Sequence, residues 1–367
     1  MNSEEKEMRM KSGSWVGFLI LVGLGLLTSC STKSSTPSGT GALFVTTQGD
    51  ALVSPFSVDL SKGSITANGT GVATGVTPSA IVLTPSGDAA FVANRDSNDI
   101  SRYTVKSDNT LLAVSGNTPA GVTPVSMAID SAGHFLFVAN RGSDDISVFS
   151  ISSGAGLTEI PGSPFPAAAS PVSLAITPSG SLLYVANNVS GTVSGYSVNS
   201  TSGALSSVPG PLFTAGTTPS GVAVTPDGKF LYATNSGSNN VSAFAVNSDG
   251  SLTPISGSPF SAGVGPLSPA VDHSGKFLYV ADQQSNQVSG FSISSSTGIL
   301  TALSTPSIST GVSPVWLAIH PGGQFLYVAN NGAASISAYT INTTSGVLGV
   351  VGSSFTTGGQ PSALALK

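Results

Sequence analysis

The chain is 367 residues long, with 12 Lys and Arg against 17 Asp and Glu and a formal net charge of −5. Only 8% of its residues are charged, against about 25% in an average chain, so its polarity comes from Ser, Thr, Asn and Gly. This balance excludes disorder, which pairs few apolar residues with high net charge, and the lack of a basic stripe argues against a nucleic-acid partner.

At the N-terminus, Arg9 and Lys11 precede an apolar run from Val16 to Leu27, followed by Leu27-Thr28-Ser29-Cys30. That run is too short for a permanent membrane span, which takes about 20 residues, and the arrangement reads as a secretory signal. Leu-Thr-Ser-Cys resembles a bacterial lipobox, which implies that Cys30, the only cysteine, is lipidated and becomes the first mature residue. An export signal with an incidental cysteine is the alternative. The expected organisation is a lipoprotein signal over 1–30, a Ser/Thr-rich tether over 31–41, and one folded domain over 42–367. The protein is expected outside the cytoplasm, held to the bacterial envelope (periplasm or surface) by its lipid alone. Without a disulfide, the fold must rest on its core and on ring closure.

From residue 44 onward an aromatic recurs seven times: Phe44, Phe91, Phe137, Tyr184, Tyr232, Tyr279 and Tyr327. A second series, Phe56, Tyr103, Phe149, Tyr196, Phe244, Phe291 and Tyr339, runs in phase with it. So does a proline series, Pro78, Pro124, Pro171, Pro219, Pro266, Pro314 and Pro361. The aromatics are 46–48 residues apart, and a period of about 20–50 residues marks a repeat architecture. Within one repeat, Ser220 to Thr225 is a short apolar strand after a proline. Pro226-Asp227-Gly228 is a turn, and Phe230 to Asn235 is a second strand. Val241 to Val246 alternates with period two, and an Asp-Gly hairpin signal leads to a fourth strand over Ser251 to Ile255. Gly257 to Phe260 is expected to lead away. No helical periodicity follows Leu27. The fold class is therefore all-β: seven four-stranded antiparallel blades in a propeller. Gln360 to Leu366 reads as a first strand with nothing after it, and Ala42 to Thr47 as a second strand with nothing before it. The C-terminal strand is thus expected to complete the first blade and remove the open edges. A ring closed this way is self-sufficient as a monomer.

The strings Phe91-Val92-Ala93-Asn94, Tyr184-Val185-Ala186-Asn187 and Tyr327-Val328-Ala329-Asn330 resemble the YVTN repeat. With turns such as Thr225-Pro226-Asp227-Gly228, the chain after the tether is similar to the lactonase-type seven-bladed propellers. That family includes 6-phosphogluconolactonase-like enzymes and surface proteins without known activity. The matching residues are strand and turn residues, so the resemblance implies fold more than chemistry.

In such a ring, the loops between second and third strands and those entering the first strand share one face. Ligand sites in this architecture usually lie there. Thr77, Thr123, Ser170, Thr218, Ser313 and Gln360 are expected to line the axial mouth. Arg95 and Arg141 hold equivalent places on adjacent blades. They either clamp an anionic group or pair with acids of their own loops, Asp96 or Asp99 and Asp144 or Asp145. Asn94 and Asn140 either bind sugar hydroxyls or fold back on the turn. Trp316 stands where other repeats have Ala, Ser or Gly, and either stacks on a sugar or fills a gap between blades. His134, His273 and His320 fall in turns on the opposite face, out of a general base's reach of the mouth, and read as surface turn residues. No metal-ligand spacing appears, no cofactor is expected, and no serine sits in a nucleophile elbow.

Two functions follow. One is a binding module that presents loops to a carbohydrate or protein in the envelope. The other, implied by the resemblance, is a lactonase acting on a sugar lactone, with Arg95 or Arg141 stabilising the anion and Asp99, Asp145 or their neighbours as base.

Overall fold

The recurring aromatics become the centre of each blade because the second strand is covered on both faces. The computed structural model describes residues 39–210 and 212–367, so Cys30 and the signal lie outside the described residues. In it, Phe44, Phe91, Phe137, Tyr184, Tyr232, Tyr279 and Tyr327 are fully buried. The tyrosines of this series donate forward to a hairpin carbonyl of the next blade: Tyr184 to Gly250, Tyr232 to Gly298, Tyr279 to Gly346 and Tyr327 to Gly63. The second series reaches backward. Tyr103, Tyr196 and Tyr339 donate to carbonyls of Ala73, Pro166 and Ser309 on the outer strand of the preceding blade. Burial pushes the Tyr103 phenol up to about 12.

Seven antiparallel sheets result. We number the blades from the seam. Blade 1 combines Pro361–Leu366 with Thr40–Thr47, Leu52–Asp59 and a short outer strand. Blades 2 to 7 begin with Pro78–Leu83, Pro124–Ile129, Pro171–Ile176, Pro219–Val224, Pro266–Val271 and Pro314–Ile319. Each first strand contacts the first strands of both neighbouring blades, all the way round. The seam pairs Val45 with Leu364 and Thr46 with Ala363, and a hydroxyl contact of 2.8 Å joins Thr46 to Ser362. Closure is therefore as expected, although the first described strand starts at Thr40 rather than Ala42. One short 3-10 turn, Ser153–Ala155, is the sole helical element among the described residues.

The outer strand corrects one expectation. Phe260 does not lead away from blade 5. Phe260–Ser261 returns to pair with Asn240 and Val241, so the outer strand is two pieces around a bulge. The Ser258 hydroxyl bridges that bulge by accepting the Ala243 amide at 2.9 Å, as Ser163 accepts that of Val148 in blade 3. In blades 2 and 6 the outer strand runs on as Leu111–Pro119 and Leu300–Ser309.

Serines stitch the first strands together around the axis. Leu174, Val222 and Leu317 donate their amides to the hydroxyls of Ser126, Ser173 and Ser268 on the preceding blade, at 3.0, 3.1 and 3.2 Å. Between blades 5 and 6 both partners change together. Pro269 has no N–H to give, and the serine place is taken by Gly221. A Cβ on Gly221 would lie 2.3 Å from the Leu267 carbonyl and 2.4 Å from the Pro269 ring, so only glycine fits.

Candidate functional site

Each first strand is entered by a residue held immediately before its proline. Thr77, Thr123, Ser170, Thr218 and Ser313 all adopt positive φ there, between 49° and 61°. Non-glycine residues avoid this region, β-branched ones especially. The strain is supported by a bond that recurs in every blade. The carbonyls of Thr77, Thr123, Ser170, Thr218, Gly265, Ser313 and Gln360 accept the amides of Arg95, Arg141, Asn188, Ser236, Gln283, Asn331 and Gln48. A second support comes from the blade before. Asn98, Asp144, Asn239 and Asn286 are themselves left-handed, and their side-chain oxygens accept the amides of Thr123, Ser170, Gly265 and Ser313 at 2.6–2.9 Å. Because the strained residue recurs around the ring, it belongs to the architecture rather than to one reactive position.

The two rim arginines have different surroundings. Arg95 Nε donates to Asp96 Oδ1 at 3.0 Å, and Asp96 Oδ2 accepts the Thr77 hydroxyl at 2.6 Å. The Arg95 guanidinium and then this hydroxyl hold the Asp96 carboxyl below the usual carboxylate range. Arg141 makes no ion pair with Asp144 or Asp145 among the described residues. Its Nε reaches the next blade and donates to the Ser170 hydroxyl at 3.2 Å, and the Ser170 amide donates to Asp144 Oδ1. The two arginines thus have unlike partners, Asp96 of its own loop for Arg95 and Ser170 of the next blade for Arg141.

Asn94 and Asn140 are fully buried and present nothing to a ligand in this arrangement. Asn94 Nδ2 donates to Asp99 at 2.6 Å and to Ser101 at 2.9 Å, and Asn140 Nδ2 donates to Asp145 at 2.7 Å and to Ser147 at 2.9 Å. The amide therefore folds back as the turn reading held, but onto side chains of its own blade rather than onto the turn backbone. Asp99 and Asp145 are the acceptors of these bonds, tying the start of the third strand to the end of the second. Gly121 packs on the Asn140 amide, where a Cβ would lie 2.5 Å from it.

His134 and His273 are exposed turn residues, as expected. His320 is not. It is 8% exposed and lies against Gly41 beside the seam. Its Nδ1 accepts the Gly322 amide, two residues on, at 3.0 Å, whereas the hydroxyl of Thr225 at the same place in blade 5 accepts the Phe230 amide, five residues on. Burial, then the neighbouring His273, lowers its pKa. All three histidines stay on the face opposite the mouth. Among the described residues no group of three His, Cys or carboxylate side chains is placed to hold a metal.

Beneath the mouth the axis opens into a cavity of about 250 Å³, lined by Ser126, Ser173, Ser220, Ser268, Val315 and Trp316 among others. None of its lining side chains is ionisable. Trp316 packs against the apolar clusters on both sides of the seam, near Leu364 and Ala363, and is only part-buried, so it both fills the gap between blades and forms a cavity wall. A wider opening of about 520 Å³ lies at the other end of the axis, lined by Thr84, Ser86, Asp130, Ser131, Pro321 and Lys367 among others. The serines of the axial cavity were not picked out from the sequence. Their signal was the recurrence of Pro-x-Ser at Pro124, Pro171 and Pro266.

The same architecture recurs among solved structures. A Pseudomonas aeruginosa periplasmic gluconolactonase is 21% identical, covers 89% of this chain and 99% of its own, and superposes with a TM-score of 0.78. A Bacteroides uniformis protein, provisionally described as a 6-phosphogluconolactonase, is 19% identical over the same shares, with a TM-score of 0.79. A Kuenenia stuttgartiensis hydrazine synthase chain is 20% identical, covers 87% of this chain and 99% of its own, and has a TM-score of 0.64. At these identities the likeness is one of fold, and the fold hosts unlike chemistries. No curated protein matches the sequence. A family model described as lactonase, 7-bladed β-propeller, matches residues 36–129, 125–212, 206–310 and 302–367, and the chain belongs to that lactonase family.

Proposed function

We propose that this protein is exported, anchored through a lipid on Cys30, and holds a neutral carbohydrate at its axial mouth as a monomeric binding module. One observation carries the reading: the axial cavity joins hydroxyl groups and one indole with no ionisable side chain on its wall. Such a wall binds by hydrogen bonds and apolar contact and carries no ionisable side chain to act as a general base. A protein ligand is the other form of this reading. Val76, Val122, Val189, Val264 and Val312 are exposed on mouth-side loops, and exposed apolar groups gathered on one face mark interaction surfaces.

Hydrolysis of a sugar lactone is the second reading, favoured by the family match. It would draw on Arg95 and Arg141 at the rim, with Asp99 or Asp145 freed from its asparagine to act as base. The two separate in one experiment on a chain beginning at Ser31, which keeps every strand of the ring. Calorimetric binding of sugars without turnover of a lactone panel supports the binding module. Lactone hydrolysis that disappears in Arg95→Ala or Arg141→Ala refutes it. For the anchor, Cys30→Ser should release the full chain from membranes, and persistent association would rule acylation out.

A further inference from the structure

The third residues of the seven first strands form one layer around the axis: Ala80, Ser126, Ser173, Gly221, Ser268, Trp316 and Ala363. Ser126, Ser173 and Ser268 each accept one amide hydrogen from the next blade. Accepting uses a lone pair and leaves the hydroxyl's own hydrogen to be donated. None of these three O–H groups donates to another group among the described residues, and neither does the Trp316 indole N–H. The interblade bonds also fix each serine oxygen, so little side-chain freedom remains to be lost when a ligand arrives. The layer is thus a preorganised set of neutral donors beside one broad aromatic wall, and all four groups line the 250 Å³ cavity.

Resting on the carbohydrate reading above, we propose that this layer is the ligand site and that it takes a single neutral monosaccharide ring. Ring and hydroxyl oxygens accept from Ser126, Ser173 and Ser268, while the apolar face of the ring lies on Trp316. The size follows from the cavity, which is smaller than the ~300–1,000 Å³ of pockets that hold drug-sized ligands. Neutrality follows from the lining, because a phosphate or carboxylate would enter without a cationic partner. The inference therefore separates this site from one built for a phosphorylated sugar, and also from the rim arginines.

The test uses the chain from Ser31, in which Trp316 is the sole tryptophan, the other being Trp15. Glucose, galactose, mannose, xylose, glucose 6-phosphate and maltotetraose are titrated by calorimetry and by indole emission. At least one monosaccharide should bind saturably and change Trp316 emission, with glucose 6-phosphate and maltotetraose at least tenfold weaker. Ser126→Ala, Ser173→Ala and Ser268→Ala should each weaken binding about threefold to tenfold. Heat released by a monosaccharide with unchanged emission would overturn this site and leave the carbohydrate reading standing. Equal binding of glucose 6-phosphate or maltotetraose would overturn its stated selectivity. No binding by any of the sugars would overturn both. The wild-type titration decides even if a serine variant fails to fold.

Discussion

Replacing Asp282 by asparagine should stabilise the protein at neutral pH and leave it nearly unchanged in mild acid. Asp282 ends the second strand of blade 6, where Asn94, Asn140, Asn187, Asn235 and Asn330 stand in five other blades. It is fully buried, and its Oδ2 accepts the Ser289 hydroxyl at 2.6 Å. Its Oδ1 has no partner among the described residues. Burial outweighs the hydrogen bonds and raises its pKa to about 6. When the folded group holds its proton more tightly than the unfolded one, stability is fully present below the unfolded pKa and is lost as pH rises through the folded value. A carboxyl moved from ~3.9 to about 6 represents roughly 3 kcal/mol once ionised in both states. The amide introduced by Asp282→Asn would donate to Ser289 as the native asparagines do to their serines, so the substitution should recover up to about 3 kcal/mol at pH 7.5. Guanidinium unfolding of wild type and Asp282→Asn at pH 4, 5, 6 and 7.5 measures this. The lowered pKa of His320 works in the opposite sense, weakening the fold as pH falls, but it is common to both proteins and cancels in their difference. A difference that stays constant across these pH values, or is absent at 7.5, would refute the reasoning.

Three further outcomes follow from the interblade contacts. Tyr232→Phe strands the Gly298 carbonyl, a bond of 2.8 Å in the native ring, and should cost about 1–3 kcal/mol in the same unfolding assay. Asp144→Asn keeps both the left-handed residue and the acceptor for the Ser170 amide, so stability should stay within about 0.5 kcal/mol. Asp144→Ala loses that acceptor and should cost at least ~1 kcal/mol; equal stability of the two variants would deny Asp144 its interblade role. Removing residues 360–367 takes away the first strand of blade 1 and should give insoluble or non-cooperative material, as judged by sedimentation and thermal melting.

The architecture was legible because its signals are local and repeat in phase. Buried aromatics at a fixed interval and a proline before each first strand state the blade count without tertiary information. The site was less so, for identifiable reasons. A residue before proline is biased toward extended backbone, and nothing in Thr77-Pro78 or Thr123-Pro124 announces that it will be left-handed. That conformation depends on acceptors one blade away, such as Asn98 for Thr123. The same distance hid the partner of Arg141, since pairing within its loop was the nearer expectation while Ser170 lies 29 residues on. His320 reads as exposed because its turn is; Gly41, whose strand begins far away in sequence, covers it. Trp316 was visible as a departure from small residues at its place, and the structure shows it filling the gap between blades while one side forms a wall of the axial cavity. Asn94 and Asn140 show the limit most plainly. Their recurrence was readable, but whether the amide faced a ligand or the blade interior required the positions of Ser101 and Ser147.

Every placement of loop, mouth and cavity depends on the two chain ends meeting in blade 1, and a disulfide can report that meeting directly. Residues opposite one another on antiparallel strands have Cα atoms about 4.5–5.5 Å apart, within the span a disulfide bridges. Thr46→Cys with Ala363→Cys, in the otherwise cysteine-free chain from Ser31, should oxidise within one molecule under native conditions and not in denaturant. Electrophoresis without reductant should show a compact monomer that runs normally once reduced. Failure to oxidise in the folded protein, or only intermolecular bridges, would contradict the closed ring.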